Sequence, residues 1–156
     1  MVSFSSPSDP FTLAGAVPVD VDLHDALARL ALFADFERPD YDDLLSVARE
    51  VSFAEGERVV ARGQLDVGLY VIVEGEVSVV LEDEELAVLP RGSFFGEISS
   101  LLGEPVVADV MARSPLRCLV IPADQIEAIL LAHPRVALRM LKTEARRLKG
   151  TDEARA

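Results

Sequence analysis

The sequence predicts an α+β domain that is mainly β: an antiparallel, jelly-roll-like β-roll preceded by short helices and followed by two longer ones. Three observations carry this expectation. Glycines at 56, 63, 68, 75, 92, 96 and 103 punctuate short β-rich runs in the middle of the chain. Apolar residues at helical spacing are confined to the stretches before residue 51 and after residue 122. A length of 156 residues, half of them hydrophobic, suits one domain with one core.

Residues 1 to 21 mix Ser, Pro and Gly without a sustained period and read as an N-terminal arm, flexible or ordered by a partner. From Asp22, Leu23, Leu27, Leu30 and Ala31 fall at helical spacing behind an Asp N-cap. A second short helix is expected after Pro39, in "DYDDLLSVARE". Leu69 to Val73 and Val77 to Leu81 read as two strands about a Glu-Gly turn, and "LAVLP" follows an acidic turn at Glu82-Asp83-Glu84-Glu85. "VVADVMA" and "LRCLVIP" supply two further strands. Past Pro122, "ADQIEAILLAH" and "PRVALRMLKTEARRLKG" are helical, the second opening on Pro134 and stopping at Gly150. The expected organisation is an arm at 1–21, a domain at 22–149 and a tail at 150–156.

A formal net charge of -12 opposes general attraction to nucleic acid or to an anionic membrane. No apolar run reaches the length of a membrane span, no secretory signal is evident, and the single Cys118 excludes an internal disulfide. These features point to a cytoplasmic protein; the absence of Asn and the preference for Arg over Lys suit a GC-rich bacterial genome. Catalysis finds no support. His24 and His133 belong to no ligand-spaced cluster, no nucleophile elbow or phosphate-binding glycine loop occurs, and Cys118 alternates with Leu116 and Val120 in the pattern of an inert core thiol. No metal and no certain cofactor are expected.

The informative stretch is "FGEISSLLGEPVVADVMA", residues 95 to 112. Gly96 and Gly103 bracket a short helix, Glu97 to Leu102, whose first amides can present N–H groups to an anion. With the preceding "GERVVARGQLDVGLYVIVEGEVSVV", it resembles the cyclic nucleotide-binding domain family, which includes catabolite-activator-type regulators and regulatory subunits of cyclic-AMP-dependent kinase. The resemblance covers roughly residues 24 to 149. It implies a cyclic nucleotide-binding-type β-roll in which Glu97 matches the ribose ligand and Gly96, Ile98 and Ser99 match the backbone donors to the cyclic phosphate. The family's phosphate-binding arginine falls on Val106. Val107 replaces the small or hydroxyl residue beside it, and Asp109 lies near the place of the base.

The departure is large in energy. A charge-assisted arginine–phosphate pair contributes on the order of 3 kcal/mol, so its loss lowers affinity by roughly a hundredfold. Arg91, Arg113 and Arg117 are the candidate substitutes. The valine pair reads first as core in a pocket that has filled itself, and second as the wall of a pocket for an apolar ligand. Glu97 would also offset the helix dipole without any ribose.

On the last helix, Arg135, Arg139, Lys142, Arg146 and Lys149 share one narrow face, beside an apolar face of Leu138, Leu141, Ala145 and Leu148. The basic face is either a solvated surface or a contact for an acidic partner or a second copy. In the regulators it resembles, this helix runs on into a dimerisation helix and a DNA-binding element, whereas only "TDEARA" follows Gly150, so the chain is not expected to bind DNA. The functional expectation is a non-catalytic regulatory module that binds a partner protein, with a homodimer through the C-terminal helix as one form of it. The alternative is a small-ligand sensor taking a cyclic nucleotide weakly or a less charged ligand.

Overall fold

The computed structural model describes residues 21–155, with side chains from Leu23 to Gly150. The expected N-terminal arm lies outside the described residues apart from Val21, which opens the first helix, α1 (Val21–Ala28). A single 3₁₀ turn, Ala31–Phe33, leads to α2 (Arg38–Val47). That helix starts earlier than Pro39 predicts, because proline lacks only an N–H that the first turn leaves without an intrahelical acceptor. Glu37 and Asp40 close a capping box over its start.

Eight strands follow: β1 (Arg49–Phe53), β2 (Arg58–Val60), β3 (Leu69–Glu74), β4 (Val77–Leu81), β5 (Glu84–Leu89), β6 (Phe94–Phe95), β7 (Asp109–Ala112) and β8 (Leu116–Ile121). The short helix α3 (Glu97–Leu102) separates β6 from β7, and α4 (Ala123–Ala132) and α5 (Pro134–Arg155) close the chain. The strands form two four-stranded antiparallel sheets, ordered β1-β8-β3-β6 and β2-β7-β4-β5. The β4–β5 hairpin turns on Glu82 and Asp83, both at positive φ, which matches the right-handed twist of its strands.

The first sheet is covered on both faces, and this explains why β3 and β8 are almost wholly apolar. Leu69, Val71, Val73, Leu119 and Ile121 pack under the helices with Leu27, Leu44, Ile126, Val136 and Met140. The alternate residues Tyr70, Ile72, Cys118 and Val120 point the other way, to meet Val60, Val77, Val110 and Phe95 inside the roll. Cys118 is fully buried, and its burial pushes the thiol up to about 12, as an inert core thiol requires.

Two expectations at the ends of elements are corrected. Val106 to Ala108 do not belong to a strand: the chain bends there and β7 starts at Asp109. The terminal helix does not stop at Gly150 but continues to Arg155. A lone glycine costs about 1 kcal/mol inside a helix, which a long helix tolerates. The boundary placed between domain and tail at 149/150 therefore falls within one helix. Among the described residues, no helix is long and apolar enough to cross a membrane and no cluster of side chains could hold a metal ion.

Candidate functional site

The site is built by the segment from β6 to β7. Gly96 precedes α3 with φ at 87°, and a Cβ there would lie 2.2 Å from the carbonyl oxygen of Gly68, so only glycine lets the helix start this close to β3. Ser100 holds the same junction from the helix side, its Oγ accepting the Gly68 amide at 3.0 Å. At the far end Gly103 turns into the left-handed region, and its amide and that of Glu104 both donate to the Ser99 carbonyl. The first intrahelical bond runs from the Ser100 amide to the Gly96 carbonyl, leaving the amides of Glu97, Ile98 and Ser99 ahead of it.

Beside this helix lies a cavity of about 370 Å³. Its floor is set by strand register. Ala87 of β5 pairs with Val79 of β4, which pairs with Val110 of β7, so three aliphatic side chains stand in a row on one face. Phe95, Leu89 and Ala108 extend the apolar wall, and Gly96, Glu97, Ile98, Ser99, Val106 and Val107 complete it. Val106 is half-buried and pinned by its backbone, which donates to the Gln64 carbonyl at 2.9 Å and accepts the Gly63 amide at 2.7 Å. Val107 is 79% exposed at the mouth. The expectation of a pocket filled by its two valines is therefore corrected: they line an open cavity because the chain bends at 106–108 instead of pairing in the sheet.

Glu97 is only 4% exposed. Burial and the hydrogen-bonded carboxyl of Glu144 on α5 push its pKa up to about 8, against an opposing pull from Arg147. The Glu97 carboxyl is thereby held toward its protonated form. Arg147 bonds Glu144 Oε1 at 2.9 Å and the Phe94 carbonyl at 3.2 Å, lies over the Phe94 ring, and approaches Glu97 Oε2 at 3.9 Å. Its side chain also lines the cavity.

Of the residues singled out in the sequence, Gly96, Glu97, Ile98, Ser99, Val106 and Val107 line the cavity, and Arg147, not singled out there, joins them. Arg147 continues the helical row of Val136 and Met140, both buried, so it lies on the face of α5 turned toward the domain. Asp109 does not enter the cavity; its Oδ1 accepts the Arg62 amide at 2.7 Å, tying β7 to the loop after β2. The substitute arginines do not reach it either. Arg113 pairs with Glu76 at 2.6 Å and with Glu85 at 3.4 Å, Arg117 is held between Glu50 and Glu74, and Arg91 is not on the cavity wall.

The basic face of α5 divides in two. Arg139 bonds the Leu32 carbonyl and Asp35, whose carboxyl it holds below the usual range, and Arg135 lies 4.0 Å from Asp35. These two residues dock the helix onto its own domain. Lys142, Arg146 and Lys149 stand exposed further along, as do Leu138, Leu141 and Leu148 on the adjoining face, Leu141 at 65%.

A double-sheet roll closed by a glycine-bounded helix, with a buried glutamate at that helix's start, defines a class of ligand-binding regulatory domains. The chain belongs to the cyclic nucleotide-binding domain family, which it matches over residues 50–133. It is similar to the cGMP-dependent protein kinases of Plasmodium berghei (strain Anka), 34% identical over 94 residues, and of Eimeria tenella, 33% identical over 94 residues. It is also similar to Glutaminase 2 of Bradyrhizobium diazoefficiens, 29% identical over 136 residues. The similarity covers 60%, 60% and 86% of this chain but only 11%, 9% and 21% of those proteins.

Among solved structures, it is similar to the N-terminal domain of a transcriptional regulator from Streptomyces coelicolor A3(2), with a TM-score of 0.59 and 30% identity over 85% of this chain and 96% of that one. The catabolite activator protein of Thermus thermophilus superposes with a TM-score of 0.68 and 26% identity, covering 79% of this chain and 60% of that one.

Proposed function

We propose that this chain is a non-catalytic regulatory module whose cavity does not hold a cyclic nucleotide in the family's usual way, and which acts by binding another protein. One observation carries the first half. At the place of the phosphate-binding arginine stands Val106, and Arg147, the one cation lining the cavity among the described residues, is already engaged by Glu144 and Phe94. A cyclic phosphate there would be stripped of water without a counter-charge of its own. The second half rests on α5, where Leu138, Leu141 and Leu148 repeat at coiled-coil spacing on an exposed face flanked by Lys142, Arg146 and Lys149. A helix of another protein, or α5 of a second copy, would cover it. A single, deeply buried cysteine suits the reducing cytoplasm, where we place the protein.

A second reading is favoured by the open cavity: the module senses a small ligand less charged than a cyclic nucleotide. Calorimetric titration with cyclic AMP and cyclic GMP tests the loss of the family ligand, and micromolar saturation would overturn it. Affinity capture with the intact chain against Leu141→Glu tests the partner. A specific protein recovered only by the former supports the reading, and identical recovery by both removes α5 as the contact.

A further inference from the structure

We infer that the cavity between the cassette and the β4–β5 hairpin takes a small, uncharged, largely apolar molecule with a hydroxyl or similar neutral polar group where Glu97 and Arg147 meet. The inference rests on the reading that a cyclic nucleotide is not the customary occupant. The volume of about 370 Å³ lies within the range of small-molecule sites.

Shape and chemistry agree along the cavity. The floor of Ala87, Val79 and Val110 and the wall of Phe95 and Val106 offer a ligand no hydrogen bond from a side chain, so this length must meet hydrocarbon or an aromatic ring. On the wall, Glu97 and Arg147 present acceptors and donors together, 3.9 Å apart. The neighbouring Ser99 keeps its hydroxyl buried without a hydrogen-bond partner, a costly state.

Charge decides the nature of the head group. An anion would lie near Glu104, while Arg147 is bonded to Glu144. A cation would lie against the Arg147 guanidinium. A neutral hydroxyl can donate to one partner and accept from the other without being desolvated as an ion. Val107, exposed at the mouth, supplies apolar surface that such a ligand would cover.

Calorimetric titration of the intact chain at pH 7 tests this with three probes: 2-naphthol, 2-naphthoate and cyclic AMP. The expected result is saturable one-to-one binding of 2-naphthol, at least roughly tenfold tighter than 2-naphthoate. Ala87→Trp, which fills the floor, should weaken 2-naphthol by a similar factor. If that variant does not fold, Val106→Arg serves instead and should shift preference toward 2-naphthoate. No saturation by 2-naphthol, equal or tighter binding of the carboxylate, or indifference to both variants would overturn the inference. Tight cyclic AMP binding would instead defeat the reading on which it rests, whereas silence with both 2-naphthol and cyclic AMP would defeat this inference alone.

Discussion

Replacing Glu97 by Gln should change how the stability of the domain depends on pH. In the fold the Glu97 carboxyl titrates at about 8, raised from 4.5 by burial and by Glu144. In the unfolded chain it titrates near its ordinary value. Between those two limits the folded state binds more protons than the unfolded state, so stability is greatest at the acid end and falls as pH rises toward 8. Each pH unit of separation is worth about 1.4 kcal/mol, which sets a ceiling of about 5 kcal/mol; solvent screening lowers it, so a loss of about 2 to 4 kcal/mol is the expectation. Glutamine keeps the size and can still donate to Glu144 without ionising. Urea unfolding at intervals from pH 5 to 8.5 should therefore show the parent chain losing stability relative to Glu97→Gln, which becomes the more stable of the two at the alkaline end. Parallel pH profiles would refute the raised pKa of Glu97 and the burial that causes it.

Three further predictions test separate parts of the structure. Val106→Arg restores a cation on the cavity wall at the cost of about 1 kcal/mol of apolar burial, and with Val107→Ala it should tighten cyclic AMP binding by roughly a hundredfold by calorimetry. Gly96→Ala forces a Cβ to within 2.2 Å of the Gly68 carbonyl at a φ of 87° and should destabilise the fold by about 3 kcal/mol or more in urea unfolding. Leu141→Glu, on the exposed face of α5, should leave the unfolding midpoint within about 0.5 kcal/mol of the parent while abolishing any self-association seen by sedimentation.

What the sequence disclosed depended on how local the cause was. β3 and β8 were legible because a strand buried on both faces is a continuous apolar run, and the cassette because Gly96 and Gly103 are demanded by backbone geometry at those positions. β1 was not legible as a strand: "REVSF" lies at a sheet edge with one buried residue, so it carries little hydrophobic signal. The side on which Asp109 falls depends on the register of β7, which pairs Asp109 with Val80, and a register shift of one residue exchanges the faces. Arg147 was hidden for a different reason. It lies fifty residues from Glu97, and only the packing of α5 against the domain brings the two together. The spacing of the basic residues on α5 is readable in the sequence, but Asp35, which lies against Arg139 and Arg135, is identified only from the fold.

Titration of the intact chain with cyclic AMP and cyclic GMP in a calorimeter tests most directly the proposal that the family's fold is kept here without the family's ligand. No saturable heat is expected at micromolar nucleotide and none up to about 1 mM, in line with a loss of roughly a hundredfold or more at Val106. One-to-one saturation at micromolar concentration, abolished by Glu97→Gln, would contradict it.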